Sequence, residues 1–325
     1  MTSRLSSEPS SEALFPVRVV VSRTGVPAHL LRAWERRYGA VDPHRSKGGQ
    51  RRYSELEITR IRLLRDAVAA GHSIGLIAAL PTEALFDLLH PEETEQDRSR
   101  ARMGETDPSS NLLLLERRDA MSAVEDRDTA GLRQVLARAA LRSPDLSFVE
   151  EFLCPLLREI GSAWARGNLG IAEEHLASEV VREVLGDQIQ AAQPPNHAPS
   201  VLCTTVSGQR HEFGALLAAL TAALSGWRPV YPGPDLPIEE IARLAHGKEV
   251  RAVALSILRP ESVAGIGDMV LALRGKTPSA VHLYLGGHPD AMREGGSVPG
   301  ATALPSYSAF RKALTTTIDP SSGQP

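Results

Sequence analysis

Three groups of residues in this 325-residue chain are of types that do chemistry. The first centres on His211, in Gly208-Gln209-Arg210-His211-Glu212-Phe213-Gly214. Ser256-Ile257-Leu258 follows Gly214 after 41 residues, and Gly286-Gly287 follows Leu258 after 27. A neutral imidazole nitrogen is a good metal ligand, and its other ring N–H needs an acceptor to fix tautomer and orientation. Gln209 can accept through its amide oxygen, without bringing a charge. A glycine pair lets a ligand approach the backbone closely. A histidine met alone would be read as a solvent-exposed loop residue.

The second group is Trp164, then Gly167 and Gly170, then Ile171, Glu174 and His175. The tryptophan ends one helix, the glycines bracket a turn, and the next helix presents the last three at i, i+3 and i+4, which is one face. A tryptophan, a carboxylate and an imidazole on one surface suit a ligand or a partner. On the residues alone, an amphipathic helix with a buried tryptophan and two solvated polar groups is the simpler reading.

The third group is basic. Between Val17 and Gly75 twelve Arg/Lys stand against five Asp/Glu, a net of +7, so the rest of a chain of net charge −3 carries −10. A compact basic segment on an acidic protein points to nucleic acid. Val17 to Thr24 reads as a short apolar helix, broken by Gly25-Val26-Pro27, with Pro27 suited to open a new helix to about Tyr38. Leu30, Leu31 and Trp34 face inward, leaving Arg32, Arg36 and Arg37 for DNA. Tyr38 belongs with them as a backbone-positioning group. Two helices around a tight glycine turn make a helix-turn-helix. The stretch Pro43 to Tyr53, with Gly48-Gly49 at its centre, suits a β-hairpin wing whose Arg45, Lys47, Arg51, Arg52 and Tyr53 meet the duplex.

The elements that must position His211 can be read from pattern. Residues 200–206 are a short apolar, β-branched run, so a buried strand. A helix is expected over 215–224, strands over 228–231, 251–258 and 281–285, and a helical segment over 237–246. Alternating strands and helices give a doubly wound, Rossmann-like parallel sheet, whose ligands sit beyond the carboxyl ends of strands. His211, Ser256 and Gly286-Gly287 all fall there. Apolar stripes at 112–124, 131–141, 148–164 and 171–190 suggest a four-helix bundle. The expected order is a tail (1–15), a mostly α winged helix-turn-helix domain (16–90), a charged linker (91–110), the bundle (111–192), a Pro-rich linker (193–199), the α/β domain (200–316) and a tail (317–325).

Hydrophobic residues make up 42% of the chain and aromatics only 4%. No apolar run approaches 18 residues, so nothing spans a membrane. Residues 1–16 are Ser-rich without an apolar core, which is not a secretory signal. Cys154 and Cys203 lie far apart in apolar surroundings and make neither a disulfide framework nor a zinc site. A cytoplasmic protein is expected.

The spacing around His211 resembles the base-off cobalamin-binding module, Asp-x-His-x-x-Gly, about 41 residues, Ser-x-Leu, 26 to 28 residues, Gly-Gly. Here Gln209 replaces the acid. That resemblance implies His211 as the lower axial ligand of cobalt, with Gln209, Gly214, Ser256, Leu258, Gly286 and Gly287 around the cofactor. Residues 16–85 resemble the MerR family, through Thr-Gly-Val, Leu-Arg-x-Trp-Glu-Arg-Arg-Tyr-Gly and Gly-Gln-Arg-Arg-Tyr-Ser. This implies a winged helix that binds double-stranded promoter DNA as a dimer. Trp164, nine residues, Glu174-His175 is similar to the light-responsive cobalamin repressors of the CarH/LitR type. By that resemblance Trp164, Ile171, Glu174 and His175 cover the upper, adenosyl face of adenosylcobalamin. Where that family often has a histidine after the tryptophan, this chain has Ala165.

The resemblances imply a repressor that binds DNA as an adenosylcobalamin-stabilised dimer or tetramer and releases it on illumination. A light-independent B12-binding regulator is the alternative that Ala165 keeps open, and a second, tetrapyrrole chromophore is a remoter one. A cobalamin-dependent enzyme subunit shares the His211 module but requires a substrate domain, for which the remaining length has no room. The chain is read as no enzyme.

Overall fold

The structure is a computed structural model that describes residues 14–46, 48–69, 71–89, 108–192, 194, 197–258 and 265–318. Lys47, most of both expected tails, residues 91–107 of the expected linker and parts of 193–199 lie outside the described residues. Two compact units share the chain. One takes Met1–Thr106 with Ile160–Ile171, and the other takes Asp107–Glu159 with Ala172–Pro325.

The first unit opens with β1 (Phe15–Pro16), α1 (Val17–Thr24) and α2 (Ala28–Tyr38). Pro27 precedes α2 at φ −60°, and Gly25 and Gly39, both in the left-handed region, stop α1 and α2. β2 (His44–Arg45) and β3 (Arg51–Tyr53) form the wing, and β3 is the central strand between β1 and β2. α3 (Glu55–Ala69), α4 (Ile74–Ile77) and α5 (Thr82–Leu89) complete it. Ser54 and Glu57 form a reciprocal cap at the start of α3: the Ser54 N–H donates to Glu57 Oε2 at 2.9 Å and the Glu57 N–H to Ser54 Oγ at 3.2 Å. Val20, Leu31, Trp34, Tyr53, Ile58, Ile61 and Leu64 make the core. Arg60 ties the helices together, its guanidinium reaching the Ala40 and Ala78 carbonyls at 2.6 Å each.

The second unit begins with α6 (Pro108–Glu125) and α7 (Thr129–Arg142), then a π-helical stretch (Phe148–Leu153) that runs into α8 (Cys154–Ala165). α8 ends in the first unit, and α9 (Ile171–Ala191) returns to the second. Asp128 caps α7 by accepting from the Gly131 N–H at 2.8 Å. Buried Leu132, Leu136, Val149, Phe152, Leu156, Val181 and Leu185 recur at helical spacing on their elements.

The same unit holds a parallel sheet: β4 (Ser200–Thr204), β5 (Arg228–Val230), β6 (Val250–Ile257), β7 (His282–Gly287) and β8 (Ala301–Ala303), in the order β5-β4-β6-β7-β8. Among the described residues, the helices that join or follow these strands are α10 (Phe213–Leu224), α11 (Ile238–Ala245), α12 (Ile266–Lys276), α13 (Pro289–Gly296) and α14 (Tyr307–Ile318). Buried clusters lie on both faces, one with Leu202, Val253, Leu255 and Leu283, the other with Val201, Cys203, Ala254 and Trp227. Such continuous burial is what a strand covered on both sides requires. Burial pushes the Cys203 thiol pKa far up. The Gly-Gly pair ends β7 rather than following it, since pairing with β6 runs to Gly287.

Candidate functional site

The carboxyl ends of three adjacent strands, β4, β6 and β7, bring together the His211 loop, Ser256 and the glycine pair. Ser256 stands directly opposite Gly286 in the ladder, and Ile257 opposite Gly287. The loop after β4 is fastened on several sides. Asp235 Oδ1 accepts from the Gly208 N–H at 2.7 Å, and Thr205 Oγ1 accepts from the Asp235 N–H at 2.8 Å. The Thr205 hydroxyl in turn donates to the Gln209 carbonyl. His211 emerges from this loop exposed to solvent, two residues before α10.

Gln209 is 1% exposed, and its amide oxygen accepts from the Leu258 N–H at 3.1 Å. That oxygen has a donor just past the end of β6, so Gln209 laces the histidine loop to the Ser256–Leu258 segment. Nothing in the local sequence signals a bond across 49 positions.

Glycine matters at two of these positions. A Cβ on Gly214 would fall on Ser256 Oγ, so a side chain there obliges the serine hydroxyl to turn or α10 to back away. Gly287 has φ +120°, and a Cβ there would run into the Ile257 carbonyl. At Gly286 a Cβ would make only an ordinary contact with the Leu304 carbonyl at 3.9 Å, so the fold itself does not demand glycine there. Leu258 is 40% exposed. Among the described residues no group of three or more His, Cys, Asp or Glu is placed to hold a bare ion. A single imidazole suits a metal that brings its remaining ligands with it. An exposed histidine, a glycine that the fold itself does not require and an exposed apolar residue fit a cobalt macrocycle.

Glu212 is fixed from two directions. Arg182 of α9 donates to its Oε1, from Nε at 2.7 Å and from Nη2 at 2.5 Å, and the Tyr231 hydroxyl donates to its Oε2 at 2.5 Å. Burial and then the bond to Glu212 push the Tyr231 pKa up, so the phenol stays a donor. The sequence reading missed both partners.

In the helical region Trp164 is half-buried near the end of α8, and Ile171 opens α9, also half-buried. Glu174 accepts from the Ser178 hydroxyl at 2.7 Å and lies 2.6 Å from His175 Nδ1. His175 is 72% exposed. Ala165 is buried.

In the first unit Arg32, Arg36, Arg37, Tyr38 and Arg45 are exposed, and Arg51 and Arg52 are half-buried. Arg51 Nε donates to Glu35 of α2 at 2.5 Å, and Arg45 Nη2 lies 3.8 Å from the same carboxylate. The hydrogen bond to Glu35 raises the Arg51 pKa. One expected DNA contact is corrected: Tyr53 is wholly buried in the core of the head. β3 is central in its sheet, and strand alternation turns Tyr53 inward.

A DNA-binding head joined to a helical region and a cofactor-type parallel sheet defines a transcription regulator, and comparison with known proteins gives its family. The MerR HTH family regulatory protein description matches residues 15–82, and that of the B12 binding domain matches residues 117–186, which are the helices rather than the sheet. The HTH-type transcriptional repressor CarH of Myxococcus xanthus is 29% identical over 85% of this chain and 90% of its own length. The repressor CarA of the same organism is 30% identical over 82% of this chain and 84% of its own. The chain belongs to this family of MerR-type repressors with a B12-binding domain, and it is a regulator rather than an enzyme. Among solved structures, the monomethylamine corrinoid protein of Methanosarcina barkeri superposes with a TM-score of 0.49 at 20% identity, over 61% of this chain and 96% of that one. No helix among the described residues is long and apolar enough to cross a membrane.

Proposed function

We propose that this regulator binds adenosylcobalamin with His211 as the lower axial ligand of cobalt, and that the bound cofactor assembles the chain into a DNA-binding oligomer which light dissociates. The observation that carries this is the exposed His211 at the carboxyl end of β4, beside Ser256 and Gly286 paired across adjacent strands. In this reading Gly214, Leu258 and Gly287 shape the slot. By family resemblance Trp164, Ile171, Glu174 and His175 cover the upper face. The cofactor supplies a cobalt–carbon bond that visible light cleaves. The protein contributes binding and coupling. Arg32, Arg36, Arg37, Arg45 and Arg52 meet DNA, and several heads per particle raise avidity through effective concentration.

The test is absorbance and gel filtration of the full chain with adenosylcobalamin, before and after green illumination, with His211→Ala beside it. The variant should shift the cobalamin spectrum and weaken binding, and the wild-type oligomer should fall apart in light. An unchanged spectrum and affinity in His211→Ala refutes the axial assignment. A second reading, a B12-binding regulator indifferent to light, is favoured by Ala165, which has no ligating atom to stabilise an illuminated state. DNA binding that is equal in dark and light would decide for it.

A further inference from the structure

We propose that Glu212 is a positioning residue for His211, and that Arg182 makes this positioning depend on helix α9. The proposal rests on His211 being the cobalt ligand. Glu212 stands at the N-terminal boundary of α10, where a carboxylate ordinarily accepts from the free N–H groups of its own helix. Its side chain makes no such bond. Both oxygens are engaged sideways, Oε1 by the Arg182 guanidinium and Oε2 by the Tyr231 hydroxyl, and the side chain is only 15% exposed. Charge-assisted bonds from two separate elements remove the freedom of the side chain and of the backbone beneath it. His211 is the preceding residue, so the direction in which its ring leaves the loop follows from that fixed backbone.

The two anchors differ in kind. Tyr231 follows β5, at the edge of the same sheet as the histidine loop. Arg182 comes from α9, the helix whose first two turns carry Glu174 and His175. At about 1.5 Å of rise per residue, Arg182 lies about 12 Å along the axis from Glu174. Arg182 is also steadied on its own helix by Glu179 at 2.6 Å. A shift of α9 must either carry Glu212 with it or break the Arg182 contact. Either way the ring of His211 is released or re-aimed. One helix thereby addresses the upper-face residues and the backbone of the lower ligand.

The experiment loads the full chain with cob(II)alamin and reads nitrogen superhyperfine splitting by electron paramagnetic resonance, together with Kd from absorbance titration. With 15N-labelled histidine in the protein, wild type should show the doublet of one 15N imidazole, distinct from the triplet of the cofactor's own 14N base, and His211→Ala should lose that doublet. Arg182→Ala should reduce the nitrogen-coordinated fraction and weaken binding about tenfold, the scale of one lost charge-assisted hydrogen bond. Arg182→Lys should recover part of both, and Tyr231→Phe should show a smaller loss. Should Arg182→Ala fold poorly by circular dichroism, Glu212→Gln reports on the same contact with its shape kept. A wild-type nitrogen signal with affinity within about twofold in these variants overturns the role of Glu212 while leaving the axial assignment standing. A 15N doublet that is absent from wild type, or that survives in His211→Ala, overturns both.

Discussion

The Glu35 carboxylate lies 2.5 Å from Arg51 Nε, so an acid of the second helix holds a base of the wing. This contact, with Arg45 at 3.8 Å from the same carboxylate, restrains cations of a surface on which Arg32, Arg36 and Arg37 are exposed. Glu35→Gln should therefore raise affinity for non-specific duplex and steepen its salt dependence, at the expense of sequence preference. Arg52→Ala should weaken binding to all sequences about equally and lower the salt slope by roughly one. Arg36→Ala or Arg37→Ala should relax sequence preference instead. Filter binding across salt concentrations separates these effects, and an affinity indifferent to salt would rule out phosphate contacts by this head.

Gln209→Glu should have opposite effects on the empty and the loaded protein. The side chain is buried and accepts from the Leu258 N–H. A carboxylate keeps that bond and strengthens the local negative potential on the imidazole, but pays to leave water. We expect tighter cobalamin binding together with a lower melting temperature of the cofactor-free protein. Weaker binding would mean that this loop is built for the neutral amide.

Gly214→Ala should be poorly tolerated. Its new methyl meets Ser256 Oγ within the site, and overpacking of this kind costs about 1–3 kcal/mol. Both thermal stability and cobalamin affinity should fall. Wild-type values for both would show that α10 can move away from β6 at little cost.

Trp164→Ala should leave cobalamin bound but weaken assembly driven by adenosylcobalamin, as gel filtration would show. A variant that assembles like wild type removes Trp164 from the upper face.

Ala165 is buried, so Ala165→His must displace neighbours before its ring can reach any cobalt. After illumination that variant should nonetheless gain the absorbance of cobalt held by two imidazoles, which the wild type should lack. The same spectrum in the wild type would assign the second imidazole to another histidine, with His175 the first to replace.

The parallel sheet was legible because buried strands advertise themselves. The runs at 200–204 and 250–257 are apolar, β-branched and bounded by turn residues, and the helices between them keep an apolar face. The register of His211, Ser256 and Gly286 was legible for the same reason, since each follows a run or ends it. Tyr53 misled because it sits among wing arginines. Its burial depends on β3 being central, although strand alternation after Arg52 carried the hint. The Arg182–Glu212, Gln209–Leu258 and Glu35–Arg51 contacts were not legible. They join residues 30, 49 and 16 positions apart, and only the folded geometry selects those partners.

Cys203 lies in β4, an inner strand of this sheet, fully buried, with its thiol held protonated. A thiol reagent can reach it only when β4 parts from its covering helices. Its modification rate is therefore a clock for opening of the α/β domain, distinct from the partly exposed Cys154. Any molecule that binds the closed sheet slows that clock by mass action. The protein thus carries its own reporter of occupancy, one that needs no colour from the ligand.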